Sequence, residues 1–253
     1  HETREALRVP RFKAAEYNMA LNDILAEAPL DKDGLFRLAQ ALEGEGPVTP
    51  DIAGVFQEAD RQRRTIGALK ESIDPNFTPI RNHYFHHDIP SPDDLAKGPL
   101  RDEVLEGTVR RGDFKNLSEA TQKLDVYLGA IKGDREKLNL FLQGMVEDGQ
   151  AMDIPEALMK WEKYMEKSEK FEYGAFKPRE VNLPFYDPNP IRVIQKYNEN
   201  AMRSIYMDAR FGPKAKGLFD IIDKVDEALS VPLRVSKARE STAGTVGRFL
   251  TCE

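Results

Sequence analysis

The sequence predicts an all-α protein, an irregular multi-helix bundle crossed by two extended arms rich in proline and aromatic residues. Three observations lead there. Apolar residues recur at three- and four-residue spacing in one segment after another, and each segment opens on a capping residue or a proline. No alternating stretch long enough for a convincing strand appears, and there is no internal repeat of roughly 30–45 residues. Two segments, 73–94 and 171–190, break the helical pattern with prolines set between rings.

The first helices are expected over 9–27 and 35–42, the second closed by the GEGP break at 44–47. Thr49-Pro50-Asp51 reads as a helix start, with threonine capping, proline in the first turn and aspartate at the positive end of the dipole. From it Ile52, Val55, Ala59, Ile66, Leu69 and Ile73 trace an inward face, and RQRR at 61–64 lies in the solvated arc. Ser118 is expected to cap a helix carrying Leu124, Tyr127, Leu128 and Ile131. Gly133-Asp134 begins the next, with Leu138, Phe141, Leu142 and Met145, and so short a joint folds the two into an antiparallel hairpin. Asp153 and Pro155 start a helix bearing Leu158, Trp161 and Met165, whose charges fall at spacings that favour pairs one turn apart.

Asn189-Pro190 opens the most regular helix, carrying Ile191, Ile194, Tyr197, Ala201, Ile205 and Ala209 until Phe211-Gly212-Pro213 stops it. That helix is expected to be central. A further helix over 214–229 and a glycine-weakened end, STAGTVGRFL, complete the chain. The expected organisation is 1–73 as N-terminal helices, 74–188 as first arm, hairpin region and second arm, and 189–253 as C-terminal helices, all within one continuous helical domain.

Composition sets limits on function. The 253 residues, 40% hydrophobic and 32% charged, suffice to bury a core without disulfides or metal. The single cysteine, Cys252, excludes an intramolecular disulfide and a four-cysteine zinc site. Neither a signal-peptide core nor an apolar window of about 18 residues is present, so a soluble chain, not exported by a signal peptide, is expected. The missing initial methionine and the TCE ending suggest a piece of a longer precursor. A net charge of -6 opposes nucleic acid as the default partner, but it is uneven: 26 basic against 35 acidic residues over 1–187, and 11 against 8 over 188–253. DNA contact, if any, is therefore expected through 188–253, and after protein contact in importance.

Three of the four histidines, His83, His86 and His87, lie in the first arm, and with Asp88, Asp93 or Asp94 they are the candidates for a metal site. The spacing lacks the i,i+4 geometry of a helical zinc motif, and stacking on Tyr84 and Phe85 is the expected role of the imidazoles. No cofactor or metal is assigned. GxGxxG, GxxxxGK[ST] and GxSxG are all missing, and adjacent acids such as Asp93-Asp94, Asp102-Glu103 and Glu147-Asp148 are expected by chance among 43 acidic residues. Tyr197, Arg203, Tyr206 and Arg210 share one helix and could face a phosphate, although interhelical salt bridges explain them more simply.

A set of motifs carries a resemblance. The order Asn82-His83-Tyr84-Phe85-His86-His87, Phe176-Lys177-Pro178-Arg179-Glu180, Pro184-Phe185-Tyr186-Asp187-Pro188-Asn189-Pro190, then Tyr197, Ala201, Arg203, Ile205, Arg210, Phe211 and Gly212 resembles a segment of very large tailed-phage and mobile-element polyproteins. His86 stands where that pattern has proline. The resemblance spans 73–213 and implies a helical module of internal virion, ejection or virion-packaged polymerase proteins, located in the virion or the host cytoplasm. Tyr84, Phe85, Phe185, Tyr186, Tyr197, Arg203 and Arg210 are then the residues expected to pack the arms or to engage a neighbouring subunit. The expectation is a non-catalytic structural module of a virion protein. The alternatives are a metal-dependent hydrolase or nuclease built on His83, His86 and His87, and a helical effector that binds a host protein.

Overall fold

The computed structural model describes residues 2–77, 87–169, 181–212 and 217. Nine α-helices and no strand occur among them, which makes the protein all-α. Tyr84, Phe85, His83 and His86, the Phe176–Glu180 motif and the expected helix over 214–229 lie outside the described residues. The chain forms two compact units: unit 1 comprises His1–His86, Ser168–Lys177 and Pro190–Glu253, and unit 2 comprises His87–Lys167 and Pro178–Asn189.

Unit 1 contains α1 (Glu2–Glu27), α2 (Lys32–Glu43), α3 (Ala53–Ile73) and α9 (Pro190–Phe211). α9 packs against each of the other three and is the spine of the unit. Its inward residues, Ile191, Ile194, Asn198, Ala201, Ile205 and Asp208, step by three and four. On α3 the buried series Val55, Ala59, Gln62, Ile66 and Lys70 does the same. Two apolar layers result. One joins Leu21, Leu38, Ala41, Ile52, Val55, Ala59, Ile191 and Ile194, and the other joins Ala14, Ile66, Ala201, Met202 and Ile205. α3 therefore runs parallel to α9 and α1 antiparallel to both.

Three details of α3 differ from expectation, the first being that Gln62, expected in the solvated arc with the rest of RQRR, is buried. Thr49 does not cap it: Ile52 occupies the N-cap without a side-chain bond, and Asp51 is drawn instead to Arg37 of α2 at 2.6 Å. Leu69 is exposed, whereas Lys70 takes the inward position because it meets Asp208 there. α2 follows its local signals closely, with Asp31 accepting from the Gly34 backbone N–H and Gly44 in the left-handed conformation (φ 76°) ending it.

Unit 2 contains α4 (Pro92–Ala96), α5 (Pro99–Arg111), α6 (Leu117–Ile131), α7 (Arg135–Glu147) and most of α8 (Ile154–Glu169). The expectation that 73–94 is wholly extended fails at its end, where Ser91 accepts from the Asp94 N–H and Pro92 starts α4. The cap of α6 is Asn116, which accepts from the Glu119 N–H, and not Ser118. Asp134 caps α7 through the Glu136 and Lys137 N–H groups. α6 and α7 pack along each other with Gly129 against Lys137 and Gly144 near Lys123, an antiparallel pairing. The core gathers Leu95, Val104, Leu105, Leu124, Tyr127, Leu142, Met145, Trp161, Leu183 and Phe185.

Candidate functional site

The second arm, as far as it is described, is the last layer of the unit 2 core. Val181, Leu183, Phe185 and Tyr186 are buried, and Phe185 stacks on Tyr127 (5.7 Å between centroids) and on Phe114 (5.8 Å). Proline at 184 and 188 keeps this stretch extended, so it cannot satisfy its own backbone as a helix would. Side chains and neighbouring chain do so instead. Gln150 donates to the Asn182 carbonyl (3.1 Å) and accepts from the Asn182 N–H (3.0 Å), in the manner of a strand partner. Arg111 Nη2 donates to the Pro184 carbonyl at 2.5 Å, and the Asp187 N–H donates to the Asp88 carbonyl at 2.8 Å.

Tyr186 is the centre of this lattice. The His87 ring lies 3.5 Å from its centroid at 14°, and the Arg111 guanidinium carbon lies 3.8 Å from the same centroid. Two groups so close to one ring must occupy opposite faces, so Tyr186 is sandwiched between an imidazole and a cation. Arg111 is further tied to Asp113 by its Nε at 2.9 Å. A guanidinium that stacks, pairs and bonds a carbonyl is a structural clamp. Pro188 closes against Gly107, where an added Cβ would come within 2.8 Å of the Pro188 Cβ.

Unit 1 holds a second polar assembly, between its two apolar layers. Gln62 Nε2 donates to the Tyr17 carbonyl (2.8 Å) and to Glu58 (2.7 Å), which fixes the amide and turns its oxygen toward Asn198. Asn198 Nδ2 then donates to Gln62 Oε1 (2.8 Å) and Asn18 Oδ1 (3.0 Å), while its own Oδ1 accepts from no described residue. Arg61 beside Glu58, aided by the Gln62 bond and opposed by burial, holds that carboxyl below its ordinary range. Two turns along α3 from Gln62, Lys70 pairs with Asp208, lies 3.8 Å from Asp74 and sits 6.0 Å from the Phe77 ring.

The residues singled out from sequence thus have different fates. Phe185 and Tyr186 come together in unit 2, and His87 stacks on Tyr186; the expected partners Tyr84 and Phe85 lie outside the described residues. Tyr197 and Tyr206 pack beside the second apolar layer of unit 1. Arg203, Tyr206 and Arg210 share an arc of α9 at i, i+3 and i+7, from which Tyr197 is displaced, and Arg210 lies 5.9 Å from the Phe211 ring. Among the described residues no group of three histidine, cysteine or acidic side chains is placed to hold a metal ion. Asp94 is bonded to Ser91 at 2.7 Å. No described helix is long and apolar enough to cross a membrane.

Sequence reasoning missed Gln62, Lys70, Asn198, Asp208 and Arg111. The first four were legible as polar residues recurring on the inward stripes of α3 and α9. Arg111, in a helix the sequence reading passed over, gave no such signal. No protein-family model, curated protein or solved structure matches the chain.

Proposed function

We propose that the chain is a non-catalytic helical module of a large phage-type virion protein, of the internal or ejection kind, that acts through contacts with a neighbouring subunit or another protein. The supporting observation is the part played by the described residues that carry the resemblance. Phe185 and Tyr186 complete a core, Pro184 gives its carbonyl to Arg111, and Ala201 and Ile205 line the seam of α9. Residues used in this way define a scaffold, because their side chains are consumed by packing. DNA is the second partner, engaged through 188–253, where positive charge is in excess.

The reading is tested on particles purified from cells that carry the gene. Mass spectrometry should recover peptides of this chain from gradient-purified particles in a fixed ratio to capsid protein. Recovery from the soluble cell fraction alone, with none in particles, overturns it.

A further inference from the structure

The seam between α3 and α9 alternates apolar and polar layers. Val55 and Ala59 share one apolar layer with Ile191 and Ile194, and Ile66 shares the other with Ala201, Met202 and Ile205. Gln62 meets Asn198 between them, and Lys70 meets Asp208 beyond the second. The two polar pairs join residues 136 and 138 positions apart, so both belong to a single parallel alignment of the helices. No turn sets that alignment. α6 and α7 are held in register by the short joint between them, whereas the whole of 74–189 lies between α3 and α9.

The amide layer is specific in its chemistry. Gln62 directs both amide hydrogens elsewhere, to the Tyr17 carbonyl and to Glu58, so the group it turns to α9 is an acceptor that requires a donor. Asn198 supplies one at 2.8 Å and gives its other N–H to Asn18 of α1 at 3.0 Å, which keys three helices at one level. The Asn198 Oδ1 is buried and accepts from no described residue. A layer arranged for stability alone would not leave a buried acceptor unsatisfied. Moving α9 by one heptad in either direction brings Ile191 or Ile205 to the level of Gln62 and takes Asp208 from Lys70, which strands buried polar groups on both helices. The aliphatic layers discriminate far less, because hydrophobic packing is not directional.

We propose that the layer of Gln62, Asn198 and Asn18, together with the Lys70 and Asp208 pair, is a register lock: as intact sets these residues add little to the stability of unit 1, and they select the one alignment in which α9 docks on α1 and α3. A single polar residue in the seam of a coiled coil fixes its register in the same way, at a cost in stability. The lock concerns unit 1 alone and does not depend on the virion reading.

The test places spin labels at Gln57→Cys and Ala209→Cys, both exposed and near opposite ends of the seam, in the full chain carrying Cys252→Ser, and reads the distance between them by double electron–electron resonance. The labelled parent should give one narrow distance. Asn18→Leu/Gln62→Leu/Asn198→Leu should keep a urea midpoint at or above that of the parent and should broaden the distribution or add a population displaced by up to about 10 Å, the length of one heptad. Lys70→Met/Asp208→Leu leaves the amide layer in place and serves as the independent second variant, and combining it with the first should enlarge the displaced population. One narrow distance in both variants and in their combination overturns the proposal. So does a midpoint far below the parent's in either variant, which would make the polar layers a source of stability instead of register.

Discussion

Lys70 is held inside unit 1 by Asp208, and the pair illustrates what a single charged side chain costs when its partner is taken away. Both are almost wholly buried, and Asp74 lies 3.8 Å from the ammonium group. Replacing Asp208 removes the carboxylate paired with a buried ammonium, at a cost of about 3–5 kcal/mol, whereas replacing both with apolar residues of similar volume is close to neutral. Asp208→Ala should therefore lower the urea midpoint far more than Lys70→Met/Asp208→Leu does. Equal losses would mean that packing, and not charge, holds the site. The position was readable in part: Lys70 follows Ile66 by four residues on the inward stripe, but Leu69 beside it offers a more apolar choice, and only a partner from a helix far along the chain decides between them.

Tyrosine chemistry at the same scale gives the pH dependence. Tyr127 and Tyr164 join hydroxyls at 3.0 Å inside unit 2, and burial is the main reason that both ionise above the ordinary tyrosine range. The folded chain thus keeps protons that the unfolded chain releases from about pH 10 upward. The contribution is intact at neutral pH and is lost as alkalinity rises through that range. Urea midpoints should fall progressively as the pH rises above about 10, and Tyr127→Phe/Tyr164→Phe should flatten the fall. A variant that falls as steeply as the parent would place the alkaline weakness elsewhere.

Among the elements, the extended stretch at 181–189 and the helix α9 that follows it carry most of the design. Phe185 is 2% exposed and touches two other rings, so Phe185→Ala opens a cavity that helices fixed by their own caps cannot readily close. The expected loss is about 3–5 kcal/mol, visible as a lower melting temperature. A melt unchanged by this substitution would remove the stretch from the core. The sequence announced α6, α7 and α9 clearly, because caps at Asp134 and breaks such as Gly212 coincide with strong periodicity. α4 and α5 were hidden, since Pro92 of α4 read as arm and the inward residues of α5, Val104, Leu105, Gly107 and Thr108, include only two large apolar side chains. Propensity and periodicity describe a helix by its own residues, and α5 is held by what packs on it.

Over the whole molecule, separated stretches of chain build each core. Bonds such as Gln195 to Asn22 at 3.0 Å and Asp187 to Asp88 at 2.8 Å connect segments that no local pattern relates. The all-α class was therefore legible from sequence, whereas the assignment of segments to two units depends on such long-range contacts. The same holds for the candidate site. The aromatics of the second arm were conspicuous, but Arg111 and Gln150, which fasten it, are ordinary polar residues until the chain is folded. Among the described residues, those of the second arm and of the α9 seam that stand out in sequence are spent on packing, which supports the proposed reading of the chain as a structural module.

The most direct measurement is metal content of the intact, untagged chain by mass spectrometry, paired with thermal melts in the presence and absence of chelator. A scaffold held by Phe185, Tyr186 and the α9 seam should purify without stoichiometric metal and melt at the same temperature in both conditions. Stoichiometric zinc, manganese or iron, lost to chelator together with stability, would contradict it and make His83, His86 and His87 candidate metal ligands.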